Sequence, residues 1–217
     1  MYTRKLIVTN KVPRDLLDEL NKNYIKPGAW DINDENVNKF KTIMKEALLE
    51  LQDGKCAYCE LPLATRNPEI EHIAPKGGIK RKKHIECMFL PENLVYACHN
   101  CNSPECKGQT DTVVKKGASY QNWEFNIVHP YLDDPKDYFD IPPLEDGSEG
   151  FIPIPKVNAD LYHANKARNT IKMFRLDTEK VFELAKEYLA RKHSVDLNKT
   201  INSTCLLYTS PSPRDIS

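Results

Sequence analysis

The chain has 217 residues, of which 40% are hydrophobic and 29% are charged. These proportions are typical of a water-soluble globular protein and exclude a disordered chain or an integral membrane protein. Lys and Arg together number 31, as do Asp and Glu, so a net charge of zero provides no general attraction to nucleic acid. Any binding to nucleic acid must therefore come from local basic patches.

Two amphipathic patterns predict helices near the start of the chain. A short helix is predicted from about Pro13 to Leu20, before a Pro-Gly pair interrupts the chain. A longer helix is predicted from Glu35 to Leu51, because its apolar residues recur at helical spacing and Asp34 is a suitable N-terminal cap. We interpret residues 1–53 as an N-terminal helical region that packs against the cysteine-containing region after it.

Neither a membrane span nor a secretory signal is expected. No stretch approaches the roughly 20 apolar residues that a transmembrane helix requires, and residues 1–10 lack an apolar core of the signal-peptide type. Four of the seven cysteines form two Cys-x-x-Cys pairs, and without a secretory signal such pairs favour metal ligands over disulfides. We therefore expect a reducing, cytoplasmic location.

The two Cys-x-x-Cys pairs predict a structural zinc site. They are Cys56 with Cys59 and Cys98 with Cys101. Zinc takes four tetrahedral ligands and binds thiolates strongly, so two such pairs would close a site with no open position. Cys106 is an alternative to Cys101, although the paired spacing argues against it. Cys87 is interpreted as a small buried or half-buried residue.

The segment between the cysteine pairs contains residues suited to phosphodiester hydrolysis. Glu71 and His72 begin the string Glu-His-Ile-Ala-Pro-Lys, Asn93 precedes an apolar run, and Asn102 directly follows the second pair. This hydrolysis requires a base that deprotonates water and positive charge beside the leaving oxygen. A neutral histidine can be the base, and an adjacent carboxylate can hold a metal ion.

Together these elements resemble the HNH endonuclease superfamily over residues 54–110. The resemblance implies that His72 is the general base and that Glu71 and Asn102 hold a catalytic divalent ion. It also implies that Asn93 orients the histidine-bearing loop through the backbone. Many members have histidine in place of Asn102, and here a glutamate rather than an aspartate precedes the histidine. Carboxylate and amide oxygens favour Mg²⁺ or Mn²⁺.

We therefore predict an α+β protein built on a zinc-stapled, treble-clef-like ββα-metal core, with an N-terminal helix and a C-terminal helical pair. Residues 111–194 are predicted to form a hairpin followed by the two helices. The hairpin is predicted from the stretches Tyr138–Ile141 and Phe151–Ile154. The helices are predicted from about Ala159 to Phe174 and from Thr178 onward, since Thr178 is a suitable N-terminal cap.

A basic segment after the expected catalytic strand is a candidate phosphate-binding loop. Its members, with one lysine further along the chain, are Lys76, Lys80, Arg81, Lys82, Lys83 and Lys107. Such segments are more often solvated surface, and only the neighbouring site favours contact with nucleic acid. Trp123 is more easily explained as a core residue than as a base-stacking one.

The end of the chain has a different character from the rest. The string from about Cys205 to Ser217 lacks periodicity and resembles translated sequencing-adapter sequence. We therefore expect residues 195–217 to be a disordered, extraneous tail.

The strings around the first cysteine pair, around His72 and at residues 126–135 also resemble HNH proteins of bacterial anti-phage defence. These include the nuclease partner of an ATPase in Septu-like and retron-linked systems, so the resemblance implies an ATPase partner. We expect metal-dependent hydrolysis of nucleic acid, with double-stranded DNA favoured. Two alternatives remain, a zinc-stabilised module that binds nucleic acid without cutting it and a subunit that is silent until the ATPase binds.

Overall fold

The computed structural model describes residues 5–80, 83–144, 147 and 150–191, which form an α+β protein. The strands in this part of the chain are short and pair into three two-stranded sheets. No helix among these residues is long and apolar enough to cross a membrane. The tail predicted at residues 195–217 lies outside the described residues.

Two helices precede the cysteine-containing region. Helix α1 spans Arg14–Asn23 and helix α2 spans Glu35–Leu51. Asp34 caps α2, because its Oδ1 accepts hydrogen bonds from the backbone amides of Asn36 and Val37 at 2.9 and 3.2 Å. The apolar stripe of α2 is buried in the core, so the predicted bounds and orientation of this helix are confirmed.

The central unit consists of two antiparallel strands followed by a single helical turn. Strand β1 spans Glu69–His72, strand β2 spans Leu94–Ala97, and His72 lies opposite Leu94 in their register. Helix α3, His99–Asn102, follows β2 directly. Helix α2 packs against both strands, and every residue of β2 is buried. With the cysteine cluster described below, this unit confirms the predicted ββα core.

Two further strand pairs and two helices make up the rest of the described chain. The strand pairs are β3 (Val113–Lys115) with β4 (Glu124–Phe125) and β5 (Phe139–Asp140) with β6 (Ile154–Pro155). The helices are α4 (Leu161–Phe174) and α5 (residues 179–191). The predicted hairpin and helical pair are confirmed. The hairpin strands are shorter than expected, since Pro142 and Pro143 have no amide to donate to a ladder.

Helix α4 anchors the C-terminal helices to the central unit. Oδ1 of Asp160 caps its N-terminus by accepting from the amide of His163 at 2.9 Å. At its other end, Phe174 stacks on Tyr58 with ring centroids 3.9 Å apart. Tyr58 lies within the first cysteine pair, so this contact holds α4 beside the predicted zinc site.

Candidate active site and zinc cluster

The cysteines of the two Cys-x-x-Cys pairs converge on one point. Their sulfur atoms all lie within 4.8 Å of one another, and all four side chains are buried. Tetrahedral zinc with Zn–S bonds of about 2.3 Å requires sulfurs roughly 3.8 Å apart. The Sγ atoms of Cys59 and Cys98 are 3.9 Å apart. The cluster includes Cys101, leaves Cys106 outside, and could hold a zinc ion in a closed site.

Two neighbouring groups donate to the sulfurs of the cluster. The amide of Cys98 lies 3.4 Å from Sγ of Cys56, and Nη1 of Arg66 lies 3.5 Å from Sγ of Cys59. Burial alone would lower the pKa of Arg66, but the cysteine sulfurs outweigh burial and raise it. These donors would offset part of the negative charge that four thiolates bring to a divalent ion.

A cleft of about 670 Å³ lies beside the central strand pair. Glu71 and His72 from the end of β1 line it, as does Asn102 from the end of α3. The second cysteine pair brackets most of α3, and α3 packs against β1. The cysteine cluster therefore positions Asn102 near the other two residues.

His72 is buried, with only 5% of its surface exposed. Its Nε2 lies 3.1 Å from the carbonyl oxygen of Met88, so Nε2 carries the proton and the lone pair of the neutral ring is on Nδ1. Burial, assisted by the nearby charge of Lys76, lowers the pKa of His72 to about 3. Trp30 packs edge-on against the ring, with centroids 4.5 Å apart. The imidazole is therefore neutral and fixed in orientation.

The carboxylate of Glu71 is buried and paired with a buried lysine. Its Oε1 forms an ion pair with Nζ of Lys107, which also donates to the carbonyl oxygen of His72 at 2.8 Å. Burial raises the pKa of Glu71, while the charge of Lys107 opposes the shift. Lys107 has no exposed surface and is not among the residues that line the cleft. The expected contact of Lys107 with phosphate does not fit this position.

Asn93 holds the loop that follows β1 and does not line the cleft. Its Oδ1 accepts from the amide of Ala74 at 2.7 Å, and its Nδ2 donates to the carbonyls of Ala74 and Cys87 at 3.1 and 2.9 Å. Its own carbonyl accepts from the amide of Ile73 at 2.9 Å. Asn93 is fully buried, so any effect it has on His72 passes through the backbone.

Asn102 lies at the rim of the cleft beside a carboxylate that sequence reasoning missed. Its Nδ2 donates to Oε2 of Glu69 at 2.6 Å, which leaves the amide oxygen Oδ1 for a ligand. The oxygens of Glu71 and Asn102 are hard donors that suit Mg²⁺ or Mn²⁺. Glu69 is half-exposed and, two residues before Glu71 on the same face of β1, could add a third oxygen.

The basic segment lies at the cleft only in part. Lys76 lines the cleft, and its Nζ lies 3.4 Å from Oδ2 of Asp31. Lys80 is exposed, whereas Nζ of Lys83 donates to the carbonyl oxygen of Gln109. The remaining members of the segment, Arg81 and Lys82, lie outside the described residues.

Trp30 is a residue of the site that sequence reasoning missed. It lies in the turn Ala29–Asp31 between α1 and α2, lines the cleft and contacts His72. The ammonium of Lys41 lies 5.0 Å from its ring centroid. The sequence around Trp30 does not indicate that the side chain will contact His72. That contact forms only when the folded chain brings the two distant segments together.

No family model matches this chain. It is 37% identical over 62 residues to the CRISPR-associated endonuclease Cas9 of Corynebacterium diphtheriae, covering 29% of this chain and 5% of that protein. It is 26% identical over 166 residues to the Septu protein PtuB of Bacillus thuringiensis, covering 76% of this chain and 56% of that protein. The chain thus spans just over half of one relative and a small part of the other.

Proposed function

We propose that this protein is a metal-dependent HNH endonuclease that hydrolyses phosphodiester bonds in nucleic acid, with double-stranded DNA as its substrate. The observation that carries the proposal is the state of His72. Its ring is neutral, its Nε2 is bound by a backbone carbonyl, and it lines one cleft with a carboxylate and an amide. This combination offers a base for a water molecule and oxygen ligands for a divalent ion, which together suit metal-assisted hydrolysis of a phosphodiester.

His72 acts as the general base in this proposal. Its Nδ1 lone pair accepts a proton from a water molecule in the cleft, while Met88 keeps the ring from rotating. A pKa of about 3 keeps the ring unprotonated but makes it a weak base.

Glu71 and Asn102 would hold the catalytic divalent ion. A bound Mg²⁺ or Mn²⁺ would neutralise negative charge on the phosphate and on the leaving oxygen. Lys107 favours the ionised form of the buried Glu71 carboxylate, which a hard cation requires as a ligand. Lys76, which lines the cleft, and the exposed Lys80 would contact phosphates near the cut.

The cysteine cluster has a structural role in this proposal, because four sulfur ligands leave no position open for substrate. We propose residues 54–110 as the catalytic unit, flanked by the helical region at 1–53 and the hairpin and helices at 111–194. The N-terminal region contributes to the site through Trp30, which contacts the ring of His72.

The direct test is incubation of the purified protein with double-stranded DNA, single-stranded DNA and RNA, each with Mg²⁺ or Mn²⁺. We expect cleavage of the duplex that EDTA abolishes and that the variant H72A lacks. Binding without cleavage under every condition would favour the alternative of a nucleic-acid-binding module. Full activity in EDTA with zinc retained would contradict the assignment of Glu71 and Asn102 as metal ligands.

We also propose that the chain works with an ATPase in anti-phage defence. The supporting observation is the similarity to a Septu protein over 76% of this chain. If the gene for an ATPase lies beside this one, the cleavage assay should be repeated with that ATPase, with and without ATP. Cleavage that appears or changes only with both components supports the partnership, and identical cleavage with and without the ATPase contradicts it.

A further inference from the structure

We infer that Tyr120 and His129 are positioning residues that fix the loop after β1 by orienting the side chain of Asn93. The residues lie on segments that come after the central unit in the chain, and both are buried. The kinetic consequence of this inference rests on the proposed nuclease function. Its structural consequence does not, and the two are tested separately.

The hydrogen bonds of His129 determine which of its two ring nitrogens carries the proton. Nδ1 accepts hydrogen bonds from the backbone amides of Tyr131 and Leu132 at 3.1 and 3.2 Å, so Nδ1 carries no proton. The ring is fully buried, and burial lowers its pKa well below the ordinary value. A neutral ring with an unprotonated Nδ1 must carry its proton on Nε2.

The proton on Nε2 sets the direction of the next two hydrogen bonds. Nε2 of His129 lies 2.9 Å from the hydroxyl oxygen of Tyr120, so the ring donates to this oxygen. The hydroxyl therefore donates its own proton to Oδ1 of Asn93, which lies 2.7 Å away. The result is a one-way chain of donors that ends on a single oxygen of Asn93.

This chain of donors adds to the backbone contacts that hold the amide of Asn93 in one orientation. Its Oδ1 receives both the hydroxyl of Tyr120 and the amide of Ala74, while its Nδ2 donates to two backbone carbonyls. A flipped amide would place its NH₂ group against two donors and its oxygen against two acceptors, each a buried mismatch of roughly 1–3 kcal/mol. The correct orientation holds Ala74, two residues after His72.

At the end opposite Asn93, the chain of donors is connected through His129 to helix α4. The amide of His129 donates to Oδ2 of Asp133 at 2.6 Å, and the same oxygen pairs with Nζ of Lys166 on α4 at 2.6 Å. A series of buried and half-buried polar contacts therefore connects helix α4 to the loop after β1. This gives residues outside the ββα core a defined route to the candidate active site.

The structural test compares Y120F with Y131F. Tyr131 is also buried, and its hydroxyl donates to the carbonyl of Leu94 at 2.7 Å, so its variant removes a comparable bond without touching the side chain of Asn93. We expect Y120F to accelerate hydrogen exchange at the Ala74 amide by roughly tenfold or more, about the effect of 1.4 kcal/mol on local opening. We expect no such change in Y131F. Unchanged exchange at Ala74 in Y120F would overturn the inference.

The kinetic test uses the same variants and adds N93A. Y120F should lower kcat roughly tenfold or more, since small misplacements of a reacting group can reduce rates by up to about 10²-fold. KM and zinc content should stay at wild-type values. In the N93A background, Y120F should change kcat little further, because both residues act on one oxygen. If Y120F lowers kcat by the same factor in the wild-type and N93A backgrounds, the inference is wrong. If the wild type does not cleave, the proposed function fails and the exchange result alone decides.

Discussion

The cysteine cluster and the cleft both depend on β2 and α3, yet they differ in how their residues are supplied. The cluster takes its four cysteines from two short spacings in the sequence, and a metal ion held by all four would be the main partner that the sulfurs need. The cleft depends on polar groups from distant segments, such as Trp30 and Lys107, which must be packed or paired in a buried setting. Short motifs therefore define the first site almost completely and the second only in outline.

The largest expected effect comes from breaking the cluster. Structural zinc contributes about 10–16 kcal/mol to the folding of small zinc domains, so C59S should release zinc and lower the melting temperature sharply. C87S is the matched control, since Cys87 is also buried but lies outside the cluster. Metal analysis and thermal unfolding measure both. A C59S protein with one zinc per chain and the wild-type melting temperature would contradict the zinc site.

Replacing the proposed base should leave the cluster intact while stopping the chemistry. H72A should reduce kcat by roughly 10²–10⁴, the usual contribution of a general base, with wild-type zinc content. H163A is the control, because His163 lies on α4 and does not line the cleft. Residual activity of H72A within about threefold of wild type would exclude His72 as the base, given that range.

The ion pair between Glu71 and Lys107 is a feature of the site that the sequence motifs do not predict. K107M should destabilise the fold by about 3–5 kcal/mol, because it leaves the buried Glu71 carboxylate unpaired. K115M removes an exposed lysine that lies 3.6 Å from Glu124 and should change stability little. Urea unfolding measures both variants. Equal stability of K107M and the wild type would show that Glu71 does not depend on Lys107.

The buried imidazole of His72 also makes stability depend on pH. Its pKa is about 3 in the folded chain and near 6.5 when exposed, so below about pH 6.5 the unfolded chain binds a proton that the folded chain does not. As the pH is lowered from about 6.5 to about 3, the free energy of unfolding should therefore fall by about 1.4 kcal/mol for each pH unit. Comparison with H72Q isolates this effect from protonation of the cysteines. Identical slopes for H72Q and the wild type would contradict the burial of a neutral ring.

The sequence predicted the cysteine cluster and helix α2 well, but it did not predict the buried polar contacts around the cleft. The bounds of α2 follow from one capping carboxylate and a helical stripe, and the grouping of the four cysteines follows from spacing alone. Lys107 could not be placed from the sequence, because lysine is almost never fully buried unless paired and its partner is distant in the chain. Tyr120 likewise resembles any core aromatic until the fold places its hydroxyl against Asn93.

The stacking of Phe174 on Tyr58 has a further consequence for the lifetime of the metal. Tyr58 lies between two cysteines of the cluster in the chain, and the ring of Phe174 stacks on its ring with centroids 3.9 Å apart. A chelator or oxidant must reach sulfurs that are buried, and the stacked rings belong to the packing around the first cysteine pair. We therefore expect the kinetics of zinc loss to report how often α4 detaches from this surface, so that a partner docked on the C-terminal helices would slow the exchange of the metal.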